Sequence, residues 1–294
     1  MSDTPRQFSH VRSVVVTLIV LGFLTCAAVI VSGYALSLPI QHHVGSAPED
    51  IKAESVTFPS ASGSTLHGWV SRGTQGRGVV ILMHGVRADR RNQLSRIRLF
   101  LHAGYTVLAF DFQSHGESEG RRITFGYLEA LDAVAAVNYS KREFPGEPTA
   151  IVAQSLGGAA ALLAPQPLPV NAMVLESVYP DIDAAICDRL EVYLGRAGCL
   201  LTPLYSALMP AVIGIPSSKL RPIDHIGTIS VPVLILSGTA DHRTTIAEAR
   251  DLFGHAPEPK EFWAVEGAAH VDLLNFARTD YEHHVMPFLA KYLR

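Results

Sequence analysis

The chain has 294 residues, 48% of them hydrophobic and 17% charged, with 24 Lys and Arg against 27 Asp and Glu. That composition suits one large or two small globular domains and excludes general disorder. The net charge of −3 speaks against a nucleic-acid binder, which needs a cationic face, and three cysteines are too few for a disulfide scaffold or a cysteine-rich zinc site.

The first element is apolar. Residues 13–36 read SVVVTLIVLGFLTCAAVIVSGYAL, with no charge among them. A helix rises 1.5 Å per residue, so about 20 such residues cross a hydrocarbon core. Arg6 and Arg12 precede the run, and Glu49, Asp50 and Glu54 come after it. The positive-inside rule then makes residues 1–12 a short cytoplasmic N-terminus, 13–36 a transmembrane anchor, and the remainder extracytoplasmic, whether periplasmic or extracellular. A cleaved signal peptide, with a secreted product, is the alternative. Residues 37–54, with Pro39, His42, His43, Gly45 and Pro48, read as a polar stalk.

Residues 55–294 read as a single domain. Strands are predicted at 55–58, 66–71, 78–84, 106–111, 149–153, 172–175, 233–236 and 262–265. Helices are predicted at 94–103, 125–140, 156–163, 248–253 and 281–292. Continuously apolar strands alternating with helices imply a mostly parallel sheet covered on both faces. Between the strands at 172–175 and 233–236 the chain is far longer than the usual ~2–6-residue connection. Residues 177–222 are therefore expected to form an inserted helical cap. Its middle, 198–215, is uncharged but broken by Pro203 and Pro210, so it is not read as a second span. Cys187 and Cys199 fall in the cap, where an oxidising compartment would let them pair.

The strongest local signal is Ala153-Gln154-Ser155-Leu156-Gly157 between a strand and a helix of small residues. A nucleophile on such a sharp turn needs small residues two before and two after it. An ordinary helix-capping serine would satisfy the same five residues. Residues further along the chain separate the two readings. A serine needs a base, and the base needs an orienting carboxylate. Asp241 ends one apolar strand and His270 ends the next, each after a glycine-containing turn. Asp272 and Glu176 are substitutes for the acid. His84-Gly85-Val86 ends an earlier apolar strand. The backbone N–H groups of Val86 and Leu156 are placed to hold a developing oxyanion, with His84 bracing the loop.

These segments, with DFQSHGESEG at 111–120, LSGTADH at 236–242 and GAAHVD at 267–272, resemble the α/β-hydrolase-fold serine hydrolases. The likeness is strongest to membrane-anchored alpha/beta hydrolase domain-containing proteins and serine aminopeptidase-like hydrolases, and it covers residues 56–294. It implies cleavage of carboxylic esters, thioesters or, alternatively, amides, with no metal or organic cofactor, and a small-molecule or acyl substrate. A peptidase would call for an acidic subsite, for which Glu176, Asp181 and Asp183 are candidates. A non-catalytic binding protein at the membrane is the other alternative. Two positions depart from the family pattern: Gln113-Ser114 stand where Arg-Gly is usual, and Thr244-Thr245 where a proline comes after the acid.

Overall fold

A computed structural model describes residues 4–293; Met1 to Asp3 and Arg294, and the side chains of residues 4–11, lie outside it. Of the expected cytoplasmic segment, 1–12, residues 1–3 lie outside the described residues and the backbone of 4–12 belongs to the first helix. Helix α1 (Thr4–Ser37) contains the apolar run 13–36. Strands β1 (Glu54–Pro59), β2 (Thr65–Ser71) and β3 (Val79–Met83) come next, then α2 (Leu94–His102) and β4 (Thr106–Phe110). After these lie α3 (Glu129–Glu143), β5 (Thr149–Gln154), α4 (Leu156–Leu162) and β6 (Ala172–Glu176). The cap helices are α5 (Ile182–Leu194) and α6 (Thr202–Ile213), and the domain closes with β7 (Val233–Gly238), α7 (Ile246–His255), β8 (Lys260–Val265) and α8 (Arg278–Tyr292).

The eight strands form one sheet in the order β8-β7-β6-β5-β3-β4-β2-β1. β2 is antiparallel to both its neighbours, and the other neighbouring pairs are parallel. Alternate residues of one strand serve opposite cores. Val79, Ile81 and Met83 of β3 pack in one, and Val80 and Leu82 in the other. Both faces are covered, which is why these strands are apolar without alternation.

The strand order reverses at β3, whose neighbours are β4 and β5. In open α/β sheets, ligands bind at the carboxyl ends of strands near such a reversal. Register brings the loops together there. Met83 lies opposite Ala153, and Val265 opposite Gly238.

Two expectations change. Residues 38–53 are not a free stalk. Ile40 and Gln41 pair in parallel with His115 and Gly116, the N–H groups of Val44 and Gly45 donate to Glu117, and Ile51 is buried. The composition is polar because the segment covers a polar loop, not because it is solvated. The predicted helix at 125–140 starts only at Glu129. Phe125 has φ 51°, and the Glu129 carboxylate takes the N–H groups of Thr124 and Gly126 instead of letting them enter a helix.

In the cap, Cys187 and Cys199 form a disulfide that ties α5 to the turn before α6. Helix α6 lies along the C-terminal part of α1, with Val29 buried and the Ser32 and Tyr205 hydroxyls 2.8 Å apart.

Candidate active site

Ser155 sits between β5 and α4 with φ 47° and ψ −110°. A non-glycine residue there is strained by about 1–3 kcal/mol, and the surroundings hold it. Its N–H donates to the Glu176 carbonyl at 2.8 Å. A Cβ on Gly157 would lie 2.6 Å from the Met83 carbonyl, and one on Gly158 2.1 Å from Val178. Glycine at both positions lets α4 close on the sheet. The position that usually carries glycine, Ala153, is fully buried in β5.

Asp241 and His270 meet across the ends of β7 and β8. Asp241 Oδ2 is 2.8 Å from His270 Nδ1, while Oδ1 accepts from the N–H groups of Arg243 and Thr244. Burial works to raise the Asp241 pKa, but the His270 hydrogen bond and charge and the two N–H donors outweigh it and hold it below the ordinary value. The two turns interlock: Ala240 N–H donates to the Ala268 carbonyl, and a Cβ on Gly238 would sit 2.1 Å from that oxygen.

Ser155 and His270 line one cavity of about 250 Å³, together with Gly85, Val86, Arg189 and Arg243. Ser155 Oγ makes no hydrogen bond among the described residues. The Gly85 Cα faces Ser155, so a Cβ there would lie 3.7 Å from the serine Cβ. Val86 and Leu156 donate no backbone hydrogen bond among the described residues, and Leu156 opens α4, where a helix leaves its first N–H groups free.

Two buried histidines fix the Val86 loop. His84 Nε2 accepts from the Phe112 N–H and its Nδ1 faces the Gly85 carbonyl at 2.8 Å. His115 Nε2 accepts from Arg87 N–H, and Arg87 holds φ 59°. Burial lowers both pKa values to about 4, with the neighbouring His84 adding to the effect at His115, so both rings are neutral and each acts as donor and acceptor. His84 was legible from its strand end. His115 was not; its only trace was the departure at 113–114. There, Ser114 adopts φ 62°, a conformation glycine takes without strain, and Gln113 donates to Glu129 and to the Arg122 carbonyl. The second departure is also accounted for: Thr245 N-caps α7 in a capping box with Glu248.

The remaining carboxylates are spoken for. Arg96, wholly buried, pairs with Glu176 at 2.6 Å and Asp272 at 2.8 Å, and Tyr281 donates to Glu176. Neither reaches His270, so neither replaces Asp241. Asp181 caps α5 and meets Arg221, and Asp183 accepts from Ser206. Both belong to the cap's own framework. His242, His283 and His284 are exposed, and His42 and His43 pair with Asp89 and Glu117. Among the described residues no cluster of three His, Cys, Asp or Glu is arranged to hold a metal ion.

This strand order, with a strained serine at the sheet reversal, is that of the α/β-hydrolase fold. Residues 74–210 match the Hydrolase_4 family model, described as serine aminopeptidase, S33. The chain is 27% identical over 286 residues to the uncharacterized protein YfhR of Salmonella typhi, covering 90% of each. It is 26% identical over 211 residues to human protein ABHD12B, covering 67% of this chain and 56% of that one. The fold matches the Pyrococcus furiosus esterase Pf2001 with a TM-score of 0.72 at 23% identity, over 88% of this chain and 99% of the other.

Proposed function

We propose that the chain is a membrane-anchored serine hydrolase that cleaves carboxylic ester or thioester bonds through an acyl-enzyme. The observation that carries this reading is the Asp241–His270 hydrogen bond opening onto the cavity that also holds Ser155. In the first step Ser155 Oγ attacks the acyl carbon as its proton passes to His270 Nε2. Asp241 accepts from Nδ1–H and stabilises the imidazolium. The carbonyl oxygen becomes an oxyanion beside the Val86 and Leu156 N–H groups. Collapse expels the alcohol or thiol, which takes the proton from His270. Water then repeats the sequence, releasing the acid and restoring Ser155.

The amide alternative is less well supported. An aminopeptidase needs a free carboxylate for the substrate amine, and the cavity acids Glu176 and Asp272 are both ion-paired with Arg96.

Anchoring rests on α1. Arg12 to Ser37 has a mean hydropathy of 2.9 over its most apolar window, and its apolar side chains are largely exposed. At 1.5 Å per residue it exceeds the ~30 Å hydrocarbon thickness. The flanking charge favours a domain outside the cytoplasm, and the Cys187–Cys199 disulfide suits an oxidising compartment.

The test is labelling of the full-length protein in detergent micelles with a fluorophosphonate probe. Wild type is expected to label and Ser155→Ala not to. Equal labelling of both would refute Ser155 as nucleophile, and no labelling of folded wild type would favour a non-catalytic binding protein.

A further inference from the structure

Arginine is costly to remove from water unless a carboxylate meets it. The wholly buried arginines of this chain obey that rule: Arg90 pairs with Asp111 and Glu117, and Arg96 with Glu176 and Asp272. Arg189 does not. It projects from cap helix α5 and is partly buried. Its guanidinium reaches only the Ala185 carbonyl, 3.5 Å away on its own helix. Arg243 comes from a different element, two residues beyond Asp241, and its side chain has no hydrogen bond and no carboxylate within 4 Å among the described residues. Both line the Ser155 cavity. Burial, and then the facing charge of Arg243, lower the pKa of Arg189.

The neighbouring acids do not answer this charge. Asp241 is engaged with His270. Asp188 precedes Arg189 but faces Glu248; burial first, then Glu248, raise its pKa to about 7, so it is only partly ionised in neutral solution. Two cations from separate elements, neither ion-paired with a carboxylate among the described residues, thus converge on the space where substrate would sit.

We propose that Arg189 and Arg243 form an anion subsite, and that the preferred substrate carries a carboxylate or phosphate close to its scissile acyl bond. The planar guanidinium fork matches both groups with paired hydrogen bonds. The proposal deepens the serine-hydrolase reading and rests on it for turnover, but not for binding. Because one arginine belongs to the cap and the other to the catalytic domain, an anion between them also fastens the cap over the cavity.

The experiment compares kcat/KM within two matched pairs on full-length protein in micelles. The first pair is the mono-p-nitrophenyl ester of adipic acid against p-nitrophenyl hexanoate. The second is a 1-acylglycerol 3-phosphate against the monoacylglycerol of the same chain. Wild type is expected to favour the charged member of at least one pair by about tenfold, equivalent to about 1.4 kcal/mol, and the favoured pair identifies the group. Arg189→Met/Arg243→Met should bring that ratio near one, and the double lysine variant should retain most of it. Arg243→Met alone, at an exposed side chain, should give an intermediate ratio and covers the case in which the double variant misfolds. Turnover without a charge preference, or a preference unchanged in the methionine variants, overturns the subsite and leaves the hydrolase standing. Calorimetry of dodecyl phosphate and dodecanoate against dodecanol on Ser155→Ala separates the two claims. Selective binding of either anion, lost on adding the methionine substitutions, upholds the subsite even when no ester is turned over. Equal binding of all three ligands refutes it.

Discussion

Arg96 makes a quantitative prediction about the support beneath the cavity. Its guanidinium is wholly buried, bonded to Glu176 and Asp272, and lies 5.5 Å from the Tyr281 ring centre. Arg96→Met leaves Glu176, itself buried, without a counter-charge. Removing one member of a buried ion pair costs about 3–5 kcal/mol. At about 2–4 °C per kcal/mol for a domain approaching this size, Tm should fall by roughly 6–20 °C. Arg96→Met/Glu176→Met replaces the pair with apolar side chains, while Asp272 keeps access to solvent, and should recover most of the loss because neither charge is then stranded. Thermal unfolding at pH 7, paired with urea unfolding followed by tryptophan fluorescence, measures both variants. A loss below about 1 kcal/mol in the single variant would refute the reasoning, as would a double variant no more stable than the sum of its single changes.

Three further outcomes are expected. Asp241→Asn should keep the fold but lower kcat by about 10³–10⁴, since an amide can hold His270 in the wrong tautomer; a loss under tenfold would reassign the acid. His84 and His115 have folded pKa values near 4, below the ordinary 6.5, so the unfolded chain binds more protons between those limits. Their contribution is complete above pH 6.5 and is lost as pH falls toward 4, on the order of 3 kcal/mol for each ring. The loss of stability between those pH values should therefore be smaller in His84→Gln than in wild type, and equal slopes would show that the ring is not held neutral. Alkylation of material taken directly from the producing cells should leave Cys187 and Cys199 unmodified until a reductant is added. Two free thiols there would contradict both the disulfide and the extracytoplasmic placement.

The central strands were legible because they are short apolar runs that end in turns, as in Val79–Met83 with His84-Gly85 after it. The serine turn was legible for a related reason, since Gly157 stands where the backbone approaches Met83 too closely for any side chain. Residues 38–53 were misread because their order comes from pairing with residues 114–117, a long-range contact with no local periodicity. The same limit applies to Arg189 and Arg243. Nothing in the spacing of a cap residue and a loop residue 54 positions later signals that both face one cavity. Arg96 was hidden too, because a buried arginine in a helix has the same sequence pattern as a solvated one.

The docking of residues 38–53 has a mechanical consequence. Ser37, at the end of α1, accepts from the Ile123 N–H and from Arg122, whose guanidinium stacks 4.2 Å from the Tyr34 ring centre. With α1 in a bilayer, the helix is a post rather than a tether. The cavity would keep one height and one tilt relative to the lipid surface, and α6, lying against the same helix, would share that attitude. Such an enzyme would meet its substrates by diffusion in a plane, and lengthening the junction at residues 38–53 would turn a fixed station into a roaming one.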